Sequence, residues 1–487
     1  MVNTKSSGWD VASLVSIPFV NAAIQSSPTA MTVSTEALSV KATFGDWQIT
    51  VGGASQILLF NIPLPTISGV VTSHGRIITQ FDYQSLSATV ELVLKFINGD
   101  PTGQCLVIDS TSPPTSIITL VDTNDQPLSN TLHDAYIKQS LTTWLGDNLS
   151  QFNHVFASVD LSPADSSDTQ WAFCKPAVVN YLNVSGSSLA SSYLGLIYNT
   201  AGNSTPPGLA TQIDPSFIPA GCQAAFMLSP QMFLTNFVAP SAGQSFKIPP
   251  QSLSVDTDQL RVTLGPSAQV ALAPVSAGNS SGSSTPQNTF NDVAHFLGFG
   301  SPVPTPPKTY QPYLIDLQIA LENSNITSYA KTSAVIVDSL VGTLTAFNVS
   351  QTSMTIGLDN SKQSLIYTNT QTPVNDNYTE QSQGYTIAQD VLQAVGVTAV
   401  AVGAVLTDGA DLLAVGALAG VAQGGEQWAL ASITSDNVND APSINNLVSN
   451  LTLPIQWSGA GPFQVEQAGL DLGGFFLAGN MRSTAST

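Results

Sequence analysis

Charge is scarce in this sequence. Asp, Glu, Lys and Arg make up 9% of its 487 residues, against roughly 25% in ordinary soluble domains. Ser, Thr, Asn and Gln must therefore supply most of the wetted surface. That suits long strands, whose solvent faces tolerate Thr and Ser. Positive charge is scarcer still: 12 bases stand against 32 acids, a formal net charge of −20. Nucleic-acid binders neutralise phosphates with clustered Lys and Arg, and no such cluster occurs, so nucleic acid is excluded as a partner. Attachment to an anionic membrane by charge is disfavoured on the same ground. Any lipid contact has to be hydrophobic or made through a pocket.

Cysteine is nearly absent as well. Cys105, Cys174 and Cys222 are an odd number, lie far apart and form no CxxC or disulfide framework. They read as buried thiols. The opening MVNTKSSGWDVAS has no basic stretch followed by an apolar one, so no secretory leader is expected. The expected location is the cytoplasm, or outside the cell by a non-classical route. Long apolar runs are also few. Residues 391–407 (VLQAVGVTAVAVGAVLT) and 412–422 (LLAVGALAGVA) come nearest, but Asp408 and Asp411 interrupt them and Ala, Val and Gly dominate. The uninterrupted run is at the short end of what spans a bilayer. It reads as a buried helix or helical hairpin, with a membrane-inserting hairpin as the alternative. Peripheral membrane contact is compatible with this sequence, and integral insertion is not expected.

Chemistry-bearing patterns are missing too. His74, His133, His154 and His295 stand apart, with no HExxH, HxH or Cys/His zinc spacing. His133-Asp134 reads as a surface pair on a helix. Gly278–Gly282 (GNSSG) has the GxSxG form, but it sits in low-complexity sequence without the strand and helix a nucleophile elbow requires. Asp122, Asn124 and Asp125 lack the turn Gly and closing Glu of a calcium loop, and Asp256 with Asp258 supplies only two ligands. No phosphate loop and no strand-linked GxGxxG are present. No catalytic centre, metal or cofactor is expected.

What is present is strand periodicity. In 88–97, Val90, Leu92, Leu94 and Phe96 share one face. In 313–322, Tyr313, Ile315, Leu317, Ile319 and Leu321 alternate with Asp316, Gln318 and Glu322; Leu260, Val262 and Leu264 repeat the pattern. Alternation of this kind predicts antiparallel sheets with one face buried. Helical signals are fewer. Ser16, Pro18, Val20 and Ile24 suggest a short helix after a strand. Residues 129–150 place Leu132, Ala135, Tyr136, Leu141, Trp144 and Leu145 on one stripe, and 385–432 is the longest candidate. The fold class is therefore α+β. Residues 274–288 read as a Ser/Gly linker or hairpin tip, and 299–312 as a Pro-rich extended segment.

Four strings carry a family resemblance. They are Gly8-Trp9-Asp10 followed by VASLVSIPFVNAAI, with Asn21 to Ile24 as an N-x-x-I helix; FGDWQITVGGASQILLFNIPLPTISG (44–69); LATQIDPSFIPAGCQAAFMLSPQMFL (209–234); and LPIQWSGAGPFQVEQAGL (453–470). In this order they resemble the clostridial forty-seven-kilodalton protein and its OrfX relatives, encoded beside botulinum neurotoxin genes. The resemblance covers most of the chain. It implies a tubular lipid-binding (TULIP) fold: elongated, strongly curved antiparallel sheets wrapping long helices. It further implies two such domains, residues 1–245 and 246–487, the second carrying the Ser/Gly and Pro-rich inserts. The implied function is non-catalytic binding of a lipid or another elongated apolar small molecule in a groove or tunnel. Val20, Ile24, Leu392, Val395 and Val400 are the expected ligand-facing residues, and Trp9, Trp47 and Trp457 the expected core anchors. Two other readings stand beside it: an accessory partner protein of a toxin-type gene cluster whose tube is filled, and an enzyme whose cavity templates a cyclisation.

Overall fold

The computed structural model describes residues 7–24, 27–99, 103–161, 172–200, 210–246, 248–272, 275–276, 309–339, 342–358, 360, 365–371, 374–381, 448, 452 and 454–483. The expected helix over 385–432, GNSSG and most of both inserts lie outside them. The architecture is α+β, built mainly of open antiparallel sheets with few helices. The chain divides into two units. One comprises Asn3–Met227, Leu447–Glu466 and Leu477–Thr487; the other comprises Met1–Val2, Leu228–Asn446 and Gln467–Phe476.

The first unit contains a nine-stranded sheet centred on one long hairpin, Ile57–Ser73 and Arg76–Asn98. Outward from Ile57–Ser73 come Leu38–Thr43 and Ala30–Ser34. Outward from Arg76–Asn98 come Gly103–Ile108, Val155–Asp160 and Ile455–Trp457, while Gln48–Thr50 and Ile117–Val121 pair alongside. His74 and Gly75, with φ of 50° and 75°, close the hairpin. A two-residue turn with both centres at positive φ matches the natural twist of paired strands. Buried side chains alternate as expected, at Leu58, Phe60, Ile62 and Leu64 on one strand and Leu86, Ala88, Val90, Leu92 and Leu94 on the other. Beyond Pro65 and Ser85 (φ 57°) the inner positions change parity together, to Ile67 and Val71 on one strand and Phe81, opposite Gly69, on the other. Pro65 has no N–H for a ladder, so the irregularity falls where a bond is already missing.

The helix Thr131–Asn148 packs with Ile137, Leu141, Trp144 and Leu145 inward. The Asn130 side chain caps it by accepting from the backbone N–H groups of Leu132 and His133. The predicted stripe is corrected over its first two turns, where Leu132 is 46% exposed, Ala135 is exposed and Tyr136 is half-buried, and Ile137 takes the core role. His133 also departs from the expected surface pair. Its ring bonds Thr79 Oγ1 at 2.8 Å and Tyr83 Oη at 2.7 Å, tying the helix start to the long hairpin. Asp134 instead pairs with Lys138 at 3.1 Å.

The six-stranded sheet runs in the order Pro176–Val184, Tyr193–Thr200, Val11–Ser16, Ala224–Leu228, Gly474–Ser483 and Ala460–Asp471. Val11–Ser16, Tyr193–Thr200 and Ala224–Leu228 are buried at every position. Strands covered on both faces need no polar alternation, which is why periodicity alone passes over Tyr193–Thr200 and Ala224–Leu228. Val11–Ser16 is instead the strand expected ahead of the short helix. Ser16 precedes the helix Ile17–Ala23, but its side chain makes no capping bond.

In the second unit an eight-stranded sheet runs Leu253–Asp256, Arg261–Leu264, Pro312–Glu322, Asn325–Ser339, Gly342–Leu358 and Leu365–Asn369, with Val270–Ala271 and Val374–Gln381 alongside. The expected face of 313–322 is kept at Leu317, Ile319 and Leu321. A register shift between Leu314 and Asp316 turns Leu314 inward and leaves Tyr313 and Ile315 half-buried. Leu260 stands at φ 51° in the preceding turn, outside the strand that buries Val262 and Leu264. Helix Pro230–Phe233 passes through a π turn, Leu234–Val238, before Ala239–Ser245. The wider turn accommodates Pro240, which has no N–H and crowds a regular helix.

Candidate functional site

Three aromatic residues close in sequence build the heart of the first unit. Phe152, His154 and Phe156 alternate along the approach to and the start of Val155–Asp160. Phe152 stacks on Trp47 at 5.4 Å and meets Phe60 edge-on at 6.0 Å, while Trp47 and Trp144 both contact Phe44. The His154 ring meets Phe156 edge-on at 4.9 Å. Trp47, Phe60 and Phe156 are essentially excluded from solvent, so packed aromatic rings fill this region.

At the margin of the cluster lies an apolar depression lined by Phe19, Val20, Ala23, His154, Phe156, Trp457 and Ser458. Its space, open mouth included, is about 170 Å³, with no interior room for a water molecule. Helix Ile17–Ala23 forms one wall, with Val20 and Ala23 buried and Phe19 half-buried. The opposite wall is set by strand pairing: Trp457 stands opposite Ala157, and the Ser458 N–H donates to the Phe156 carbonyl at 2.9 Å. Trp457 is fixed by its indole N–H donating to Ser13 Oγ at 3.2 Å. Gly459, at φ 68°, lets the helix approach; a Cβ there would lie 3.0 Å from that of Ala23.

His154 is the unusual group in this wall. It is 7% exposed and its Nε2 has no hydrogen-bond partner. A buried polar atom left in this state costs about 1–3 kcal/mol. Burial among apolar rings also pushes its pKa below the ordinary histidine value, so the imidazole is held neutral. Trp47 Nε1 and Tyr198 Oη are likewise buried without a partner, but neither lines the depression.

Of the sequence-predicted ligand residues, Val20 lies in this wall. Ile24 is half-buried just beyond the helix, where its N–H donates to the Asn21 carbonyl at 3.2 Å. Leu392, Val395 and Val400 lie outside the described residues. His154, Phe156 and Trp457 were not singled out as a site from sequence, although the alternating FNHVF string carries the signal. Trp9, Trp47 and Trp457 are all buried, as core anchors should be.

The other candidates resolve into local structure. Asp122 Oδ1 accepts from the N–H groups of Asn124 and Gln126, and these bonds lower its pKa. Asp256 Oδ1 likewise accepts from the backbone N–H groups of Asp258 and Gln259. Cys174 is buried, and Cys105 and Cys222 are half-buried, none of them in a disulfide. Among the described residues no three His, Cys, Asp or Glu side chains gather where a metal could sit, and no helix is long and apolar enough to cross a membrane.

Comparison with known proteins gives one consistent result. Residues 6–281 match the OrfX-like family model, described as Protein OrfX2/OrfX3/P47. The chain is 23% identical over 502 residues to Protein OrfX3 of Paraclostridium bifermentans, covering 96% of each chain. Against Protein OrfX3 of Clostridium botulinum (strain Kyoto / Type A2) the identity is also 23%, over 516 residues, covering 96% of this chain and 97% of the other. Among solved structures, P47 from Clostridium botulinum A2 superimposes with a TM-score of 0.63 at 17% identity, over 98% of both chains. P47 of Clostridium botulinum E1 gives 0.59 at 16%, over 98% of this chain and 99% of that one.

Proposed function

Because the chain belongs to the OrfX-like family of OrfX2, OrfX3 and P47 proteins, we propose that it acts by binding rather than by catalysis, as an accessory partner of the products of a toxin-type gene cluster. The observation that carries this reading is the match to OrfX3 over nearly the whole of both chains. A partner surface is supported at the tip of the long hairpin. There Ile77 and Ile78 are 64% and 56% exposed, more than any other isoleucine pair in the described residues. The register shift opposite Val71 and Thr72 leaves Ile78 as an extra residue, and a bulge of this kind re-aims side chains at a sheet's margin. Adjacent exposed apolar residues on a rigid element suit a protein contact. Co-expression with the products of neighbouring genes, followed by affinity capture on this chain, tests the reading. Stoichiometric recovery of a neighbour supports it, and recovery of this chain alone from every pairing overturns it.

A second reading is binding of a lipid or other elongated apolar molecule in a TULIP-type fold. It is favoured by the wall composition of the depression around Val20, which has no interior room in this structure and would have to widen to admit a chain. Its walls are apolar except for His154 and Ser458, the composition of a small-molecule site with few polar fixed points. Native mass spectrometry of the purified protein against a lipid panel tests it, and a protein that remains empty throughout argues against it.

A further inference from the structure

The hairpin strand Arg76–Asn98 is paired unevenly on its two sides. Ile57–Ser73 follows it along most of its length. On the other side Ile117–Val121 covers Ser87–Val90, and Gly103–Ile108 covers Leu94–Asn98. Short of Ser87 that side is open. Among the described residues no strand pairs with Thr79–Gln84 there, and no other backbone group bonds to it. The cause is local. After Val121 the chain turns at Asp122, whose N–H donates to the Gln126 carbonyl at 2.9 Å and whose carboxylate accepts from the N–H groups of Asn124 and Gln126. It then enters helix Thr131–Asn148, where the His133 ring meets Thr79 and Tyr83 through their side chains and leaves the backbone edge uncovered.

Every second residue of such a stretch presents an unpaired N–H and C=O to the open side. Resting on the accessory-partner reading above, we propose that Thr79–Gln84 takes an extended strand of a partner protein. The incoming strand runs antiparallel, the more stable pairing. It carries apolar side chains at the end that meets Ile77 and Ile78, and a Lys or Arg opposite Asp82. Backbone bonds supply the affinity and side chains set the choice of partner. The stretch lies between the irregularities at Ile78 and Ser85 and keeps a continuous register with Ile57–Ser73. It has neither Lys nor Pro, the residues that commonly keep an edge single. Its outer side chains, Gln80, Asp82 and Gln84, are exposed. Asp82 is its one charge, and a base across the strands is the favoured neighbour. The formal charge of −20 on the whole chain draws a basic segment in and opposes a second copy.

The test titrates the full chain at low ionic strength with a synthetic Val/Thr peptide of about eight residues. One Lys is placed to fall opposite Asp82, and a counterpart peptide carries Glu at that position. Wild type should bind the Lys peptide about fivefold more tightly than the Glu peptide, and Asp82→Lys should reverse the order. Thermal melting verifies that this exposed substitution leaves the fold intact. Hydrogen exchange resolved to single amides should show new protection at alternate residues of Thr79–Gln84, because the others already face Ile57–Ser73. The inference is overturned if neither peptide binds, if both bind equally to both proteins, or if protection falls outside this edge. Self-association of the chain that the Lys peptide does not reverse also overturns it, by giving the edge to a second copy. Capture of a neighbouring gene's product by a chain that ignores both peptides removes this inference alone. Binding of the Lys peptide by a chain that captures no neighbour keeps the strand-accepting edge and removes the cluster-partner reading.

Discussion

Asn21 and Ile49 exchange two hydrogen bonds as though they were neighbours in a sheet. The Asn21 amide donates to the Ile49 carbonyl at 2.8 Å, and the Ile49 N–H donates to Asn21 Oδ1 at 2.8 Å. Ile49 lies in Gln48–Thr50, whose other edge pairs with Ile57–Ser73 opposite Phe60. One side chain of helix Ile17–Ala23 thus completes the free edge of a strand. Replacing Asn21 with Ala strips partners from both backbone groups and should lower stability by about 2 kcal/mol. Asn21→Asp should be worse than Ala, since a second acceptor would then face the Ile49 carbonyl. Chemical denaturation of the three proteins checks the order.

Tyr181 makes a comparable tie between strands. Its hydroxyl donates to the Gln56 carbonyl at 2.7 Å and accepts from the Leu94 N–H at 2.7 Å. Tyr181→Phe should cost about 1–2 kcal/mol near neutral pH. Burial, opposed by the Leu94 bond, pushes the phenol up to about 12. The folded value therefore exceeds the unfolded one of about 10, and this contribution is complete below that pH. It should be lost as pH rises through about 12, and Tyr181→Phe should remove that alkaline loss from the denaturation profile.

His154 gives the opposite slope. Its imidazole is held below the ordinary value by burial, so the unfolded chain takes up the proton first as pH falls. Stability should be unaffected above about 6.5 and should decline from there through the depressed folded value. His154→Phe should flatten this acid-side decline and, by removing the unsatisfied nitrogen, raise stability at pH 7.5. Denaturant melts at half-unit pH intervals check both points. A wild-type profile that parallels the variant would count against the assignment.

Ile77 and Ile78 are predicted to matter for association and not for folding. Changing both to Ser should alter stability by no more than about 0.5 kcal/mol, as for other exposed positions. Capture of a protein partner should nevertheless fall, read as lost recovery in the affinity experiment. Unchanged recovery would move the contact surface elsewhere.

Much of the fold was legible because one-sided strands write their burial into the sequence. Val90, Leu92 and Leu94 were read correctly for that reason, and so were Leu317, Ile319 and Leu321. The phase changes at Pro65, Ser85 and Leu314 were not, since a bulge shifts parity without a dedicated residue type. The all-buried strands Tyr193–Thr200 and Ala224–Leu228 carried no alternation to read. The N-x-x-I string was visible, but the reason for its Asn lies 28 residues away, at Ile49. The site was legible only at Val20. His154 looked like any isolated histidine until Phe19, Phe156 and Trp457 were brought around it.

The bond from Trp457 to Ser13 joins residues 444 positions apart, and Ile455–Trp457 completes the sheet that contains Val155–Asp160. Such closure carries a kinetic consequence. Loop-closure entropy must be met before these contacts give anything back, so the first unit cannot finish folding from local contacts alone. Its Val155–Asp160 edge stays unpaired on that side until residues 455–457 arrive, which makes folding slow and leaves that edge open to pairing with other chains meanwhile. Residues 3–227 expressed alone should accordingly aggregate, and supplying a peptide spanning 447–483 in trans should rescue their solubility.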